Sequence, residues 1–207
     1  MDAKRVIVVI LAYGLWGTNK RSPKEVVGYG KYLAQCTQAI WDLHHCGYTI
    51  HIILCGGATQ NGETEAESMF DYFYEAFDFP HGGSLEERSL TTPANIWEAY
   101  RIIKNSVLEP GLSEKNVLFF CDGTREFQVR WLVNKWLAQA RKAENRSCRG
   151  SWSPVRSILS WPKPEVVGFD RPDINRKSTK IFQLFKTLVL MFYPWILRKS
   201  INRIRKD

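Results

Sequence analysis

"MDAKRVIVVILAYGLWG", residues 1–17, decides the fold. Basic residues stand before an apolar run, as in a secretory signal peptide. However, Asp2 is acidic, no small-residue cleavage pattern follows, and β-branched residues dominate the run. A segment that is apolar on both faces and rich in Val and Ile fits a strand buried on both sides, as in a parallel sheet. Residues 5–12 are therefore expected to form the first strand, closed by Gly14.

The same rhythm then repeats along the chain. "TIHIILC" (49–55) is an expected second strand followed by Gly56-Gly57, residues 84–87 a short third, "NVLFFC" (116–121) a fourth and "EVVGF" (165–169) a fifth. Between them, helical periodicity is expected over residues 25–46, with Gly47 as the C′ residue. It is expected again over 63–77, with Met69, Phe70, Phe73 and Phe77 on one face. Two more helices are expected: 92–106, with Thr92 as N-cap and Pro93 at the first position, and 125–142, with Phe127, Trp131, Val133 and Leu137 for packing. Residues 145–164 read as an irregular excursion, and a last helix is expected from residue 179.

Strands alternating with helices predict an α/β Rossmann-like three-layer sandwich: a mostly parallel sheet of five strands with helices on both faces. Residues 1–144 form the expected core, and 145–207 a basic segment completing the same domain. In such sheets ligands bind beyond the carboxyl ends of the strands. The segments there carry the small and polar residues.

Composition narrows the function classes. The net charge is +8, but residues 1–140 hold 13 Lys+Arg against 16 Asp+Glu, while residues 141–207 hold 16 against 5. A mildly acidic body with a basic end points to a phosphate-bearing surface as partner. Residues 179–206 are apolar and then basic, which leaves two readings. One is a final core helix covering the sheet with only its basic end exposed. The other is an interfacial helix with an anionic membrane surface as partner and a cytoplasmic location peripheral to the inner membrane face. Nucleic acid is not an expected partner, because no recognition motif appears. Five cysteines without a CxxC argue against a disulfide framework or structural zinc. The four histidines show no metal-ligand spacing.

Three rim stretches carry candidate chemistry. Gly56 and Gly57 allow either a tight turn or close approach of a ligand to bare N–H groups. "GETEAESM" (62–69) crowds Glu63, Glu65 and Glu67 at a helix start, more acid than a helix dipole needs. "LEERSLTTPAN" (85–95) leaves Glu87, Ser89 and Asn95 unexplained by capping, and buried unpaired polar groups cost about 1–3 kcal/mol each. "CDGTREFQVR" (121–130) adds Asp122, Thr124, Arg125 and Arg130.

In this order these residues resemble the YdcF-like family (the SanA, ElyC and YdcF group), a domain of unknown function. Its pattern runs Ser-Gly-Gly, Glu-Ala with a following Met, Glu-x-x-Ser-x-x-Thr-x-x-Asn, then Thr-Ser-x-x-His-x-x-Arg. The resemblance covers residues 5–140. Its most specific part is Glu86, Ser89, Thr92 and Asn95, spaced by three, with Glu87 adjacent.

The family implies a Rossmann-like fold, a cell-envelope role, and an S-adenosylmethionine-like or nucleotide-like ligand, with transferase or hydrolase chemistry in view. Matching positions would make Gly56, Gly57, Glu67, Glu86, Ser89, Thr92, Asn95, Thr124 and Arg130 line the pocket. The chemistry of the rim adds Gly14 and Asp122 to the expected ligand-binding set, with Glu67 or Glu87 as polar anchor or catalytic base. Two positions depart from the pattern. Cys55 replaces the serine, and Phe127 stands where the histidine stands. A phenyl ring stacks on a base but cannot shuttle protons. The acid-rich mouth favours a ligand bearing positive charge, or a divalent cation, over a bare polyanion.

Overall fold

The computed structural model describes residues 4–12, 23–58, 62–77, 83–107, 116–147 and 164–169, together with residues 181, 184, 185, 187 and 188. The opening stretch is a strand, β1 (Lys4–Leu11), and it occupies the middle of the sheet. Its side chains from Val6 to Leu11 are almost wholly buried, which explains the unbroken run of apolar residues.

Around it the chain forms α1 (Pro23–His45), β2 (Tyr48–Cys55), α2 (Glu65–Phe77), β3 (Gly83–Glu86), α3 (Thr92–Val107), β4 (Asn116–Asp122), α4 (Glu126–Ser147) and β5 (Glu165–Phe169). The sheet is five-stranded and every pairing is parallel, in the order β3-β2-β1-β4-β5. β5 comes from the second half of the chain and completes the same sheet.

Alternation along each strand builds two cores. Val6, Val8 and Ile10 face one side, against Tyr29, Tyr32 and Leu33 of α1 and Ala66, Met69 and Phe73 of α2. Ile7, Val9 and Leu11 face the other, against Ile96, Ala99 and Ile103 of α3 and Val129, Leu132 and Trp136 of α4. The sandwich is therefore covered on both faces, as the sequence pattern predicts.

Three details differ from the expected packing. Phe70 and Phe127 are exposed. On α2 the buried stripe is Ala66, Met69 and Phe73, so Phe70 turns outward and stacks on Tyr74. Phe127 lies in the first turn of α4, ahead of the buried stripe that begins at Val129. Phe77 and Leu137 have no described side chains. The α3 cap also slips by one residue. Asn95 N–H donates to the Thr91 carbonyl at 2.9 Å and Ala94 N–H to Thr91 Oγ1 at 3.4 Å, so Thr91 is the N-cap. The Thr92 side chain is thereby released for another contact. Gly47 ends α1 with φ of 79°, as its glycine predicts.

The chain goes from β1 outward through β2 to β3, then returns to place β4 on the other side of β1. Pairing between β1 and β4 ends at Ile10 with Phe120. Just there the buried Tyr32 hydroxyl donates to the carbonyls of Leu11 (3.0 Å) and Phe120 (3.2 Å). Burial holds this hydroxyl's pKa well above the ordinary phenol value, so it stays a donor. It ties the two strands at the fork where the topology reverses. Tyr32→Phe is expected to cost about 1–2 kcal/mol in urea unfolding, because neither carbonyl gains a replacement donor.

Candidate functional site

Beyond the ends of β1–β4, four stretches of chain are joined by hydrogen bonds. After β2, Gly56 N–H donates to the Glu86 carbonyl (2.9 Å) and Gly57 N–H to the Ser89 carbonyl (2.7 Å). The carbonyls of Gly57 and Gly56 accept in turn from Glu65 N–H (3.1 Å) and Ala66 N–H (3.0 Å) at the start of α2. A β-carbon on Gly56 would lie 2.7 Å from that of Ala12, and one on Gly57 would overlap the Ser89 carbonyl. Gly56 is thus required by the β-carbons of Ala12 and Glu65 and Gly57 by neighbouring backbone, and their N–H groups are taken by protein carbonyls.

At the end of β3 the buried Glu86 carboxylate folds back over its own loop. Oε1 accepts from the N–H groups of Arg88 (2.9 Å) and Ser89 (3.1 Å), and Oε2 lies against Ser89 Oγ. Ser89 Oγ also meets Asn95 Oδ1, and Asn95 Nδ2 donates to the Cys55 carbonyl at 3.4 Å. With the amide committed that way, Ser89 has one proton and two acceptors beside it. Burial pushes the Glu86 carboxyl above its ordinary value, against the hydrogen bonds from Ser89 and Arg88 that pull it down.

A group whose folded pKa is raised binds more protons folded than unfolded. Its stabilising contribution is full below the ordinary carboxyl value of 4.5 and is lost as pH rises through the raised one. Glu86→Gln, which keeps the shape and supplies an N–H to Ser89, is therefore expected to gain stability over the native chain as pH rises above that value. Urea unfolding at stepped pH reads the difference. A constant gap across the range would contradict it.

The other half of the site hangs on Arg125, which is buried. Nε pairs with Asp122 Oδ2, Nη2 donates to the Ala12 carbonyl (3.1 Å), and Nη1 reaches Thr92 Oγ1 (3.4 Å). Asp122 Oδ1 accepts from Thr124 N–H at 3.1 Å and from Thr124 Oγ1. Burial alone would lower the guanidinium pKa, but the adjacent Asp122 carboxylate outweighs it and raises it. The two halves meet at the β1–β2 junction. The Cys55 carbonyl accepts from both Ala12 N–H (2.9 Å) and Asn95, and the Ala12 carbonyl accepts from Arg125.

On the outer side, Thr64 and Glu67 form a reciprocal capping box on α2. Thr64 N–H donates to Glu67 Oε2, and Glu67 N–H to Thr64 Oγ1, each at 3.0 Å. The same Thr64 hydroxyl lies 3.0 Å from Glu67 Oε2 and 2.9 Å from Glu87 Oε1, so two carboxylates converge on one proton.

Most of the sequence candidates are thus brought together: Gly56, Gly57, Glu86, Ser89 and Asn95 directly, Glu67 and Glu87 through Thr64, and Thr92, Asp122 and Thr124 through Arg125. Arg130 is not among them. It donates to Glu126 (2.8 Å) and to the Val166 carbonyl (3.0 Å), tying α4 to β5. Gly14 lies outside the described residues. Thr64 was legible as the first residue of a Thr-x-x-Glu capping box. Arg125 was legible as a cation three residues after a strand-end aspartate, but the spacing of the family pattern points to Arg130 instead.

Cys36, Cys55 and Cys121 are free and buried, and burial raises each thiol's pKa, Cys121 to about 12. They are inert core residues rather than nucleophiles. Among the described residues, no three His, Cys, Asp or Glu side chains come together as metal ligands. Comparison with protein-family models, with curated proteins and with solved structures gives no match for the chain.

Proposed function

We propose that the protein binds a small organic molecule at this rim, with a cationic group of the ligand seated against Glu67 and Glu87. One observation carries the proposal: the two carboxylates converge on the single hydroxyl proton of Thr64. Of the described arginines near the rim, Arg125 is engaged with Asp122 and Arg130 with Glu126. A sulfonium or ammonium group complements two adjacent carboxylates, whereas a bare polyphosphate meets repulsion.

The remainder of the ligand has apolar surface to meet. Leu90, two residues before Thr92, and Phe127, two residues after Arg125, are both exposed where the chain enters α3 and α4. Phe127 offers a ring face for stacking a base or another flat group. An S-adenosylmethionine-like molecule combines both features, in keeping with the YdcF-like resemblance. Glu87 is the proposed polar anchor. The buried Glu86, Ser89 and Asn95 position its loop, and a transferase or hydrolase reaction would draw on Glu87 as base.

S-adenosylmethionine at a hundredfold excess over its Kd is expected to stabilise the protein by about 2.7 kcal/mol. For a chain of this length that is a rise in Tm of roughly 5–10 °C. Metal-free ATP is expected to give little or none. Glu87→Gln, at a half-buried position, and Phe127→Ala, at an exposed one, are expected to weaken the response about tenfold each, and Phe127→Ala to leave the unliganded Tm unchanged. Equal responses to both ligands, or none to either at millimolar concentration, would count against the proposal.

A further inference from the structure

The strongest feature outside the rim is an uncovered apolar stripe near the C-terminal end of the chain. Ile181, Leu184, Phe185 and Leu188 are helical and exposed, at 68, 45, 62 and 40%. Their spacing of three, one and three puts them within a single stripe about 100° wide. Thr187, beside that stripe, is fully buried, so a neighbouring side of the helix is packed while the stripe stays open. Four large apolar side chains on one face are more than scattered surface residues, and they mark an interaction surface.

Charge selects the occupant. Residues 174–206 contain nine Lys and Arg and no Asp or Glu, with Arg176, Lys177 and Lys180 before the stripe and Arg198, Lys199, Arg203, Arg205 and Lys206 after it. A second copy of the chain would set two such cationic segments against each other. An anionic lipid surface answers both properties at once, taking the apolar stripe below the headgroups and the basic residues among them. Each Lys or Arg near such a surface strengthens binding about fivefold. Trp195 and Tyr193 are residue types that favour the headgroup level. Lys186 and Pro194 interrupt the apolar run, and among the described residues no helix is long and apolar enough to cross a membrane.

We propose that Ile181, Leu184, Phe185 and Leu188 form an interfacial docking face that holds the protein on an anionic membrane surface. The docking is independent of ligand binding at the rim. Co-sedimentation of the full chain with vesicles tests it, comparing phosphatidylcholine alone with phosphatidylcholine containing a minority of phosphatidylglycerol. The chain is expected to sediment with the anionic vesicles, to be released by added salt, and to ignore the neutral ones.

The double variant Leu184→Ser, Phe185→Ser alters exposed positions, so its circular dichroism and Tm should be unchanged while its vesicle affinity falls about tenfold or more. Wild-type protein that binds neither vesicle would overturn the proposal, as would a double variant that binds as well as wild type. Self-association or DNA binding that the variant abolishes, without vesicle binding, would also overturn it by assigning the stripe to another partner.

Discussion

Replacing Asp122 with alanine is expected to destabilise the protein by about 3–5 kcal/mol, a large part of the stability of a typical domain. The cost follows from what remains. Arg125 is buried, its charge is paired by Asp122, and it holds the Ala12 carbonyl and Thr92 from that position. Without the carboxylate a guanidinium that cannot lose its proton stays in the interior uncompensated. Thr124 loses its acceptor as well. Asp122→Asn is a graded control that keeps the Thr124 contact and loses only the charge. Urea midpoints of the two variants measure the effect. A loss below about 1 kcal/mol for the alanine variant would mean that water already reaches Arg125.

Gly57→Ala is the second large effect, at about 3 kcal/mol, the upper end of overpacking costs. The added β-carbon would overlap the Ser89 carbonyl, which is backbone and cannot swing aside as a flexible side chain would. The Gly57 N–H to Ser89 carbonyl bond must then lengthen, and with it moves the loop carrying Glu86, Glu87 and Ser89. Loss of stability and loss of ligand response are therefore expected together. By contrast, Gly62→Ala strains only a positive φ of 83° with open space around it, so it should cost about 1 kcal/mol and leave the loop in place.

The sheet was legible because its strands bury both faces. "RVIVVILA" and "NVLFFC" read as central strands from β-branched and aromatic runs alone, and the order of strands and helices fixed the α/β class. The rim was legible for a different reason. Glu86, Ser89 and Asn95 stand at a strand end with more hydrogen-bonding capacity than a cap consumes, and that surplus forms the buried cluster.

What could not be read was set by a single residue of register or by distant chain. Thr91 and Thr92 are chemically equivalent N-caps, and only the first bond of α3 chooses between them. Arg125 and Arg130 lie on the same connection, yet the tight turn at 123–125 folds the first inward while the second reaches β5. Phe70 and Phe127 are apolar, but their outward faces depend on where the buried stripes of α2 and α4 fall. The role of Tyr32 depends on carbonyls that are 21 and 88 residues away.

Chain segments far apart in sequence meet above the carboxyl rim of the sheet, and that is where the proposed ligand would sit. Backbone amide chemical-shift mapping during titration with S-adenosylmethionine tests it most directly. The expected result is that shifts concentrate at residues 56–57, 64–67, 86–95 and 122–127, with little change at the opposite end around Gly47. Shifts gathered at that opposite end, or amides of the four rim segments unmoved by millimolar ligand, would contradict it.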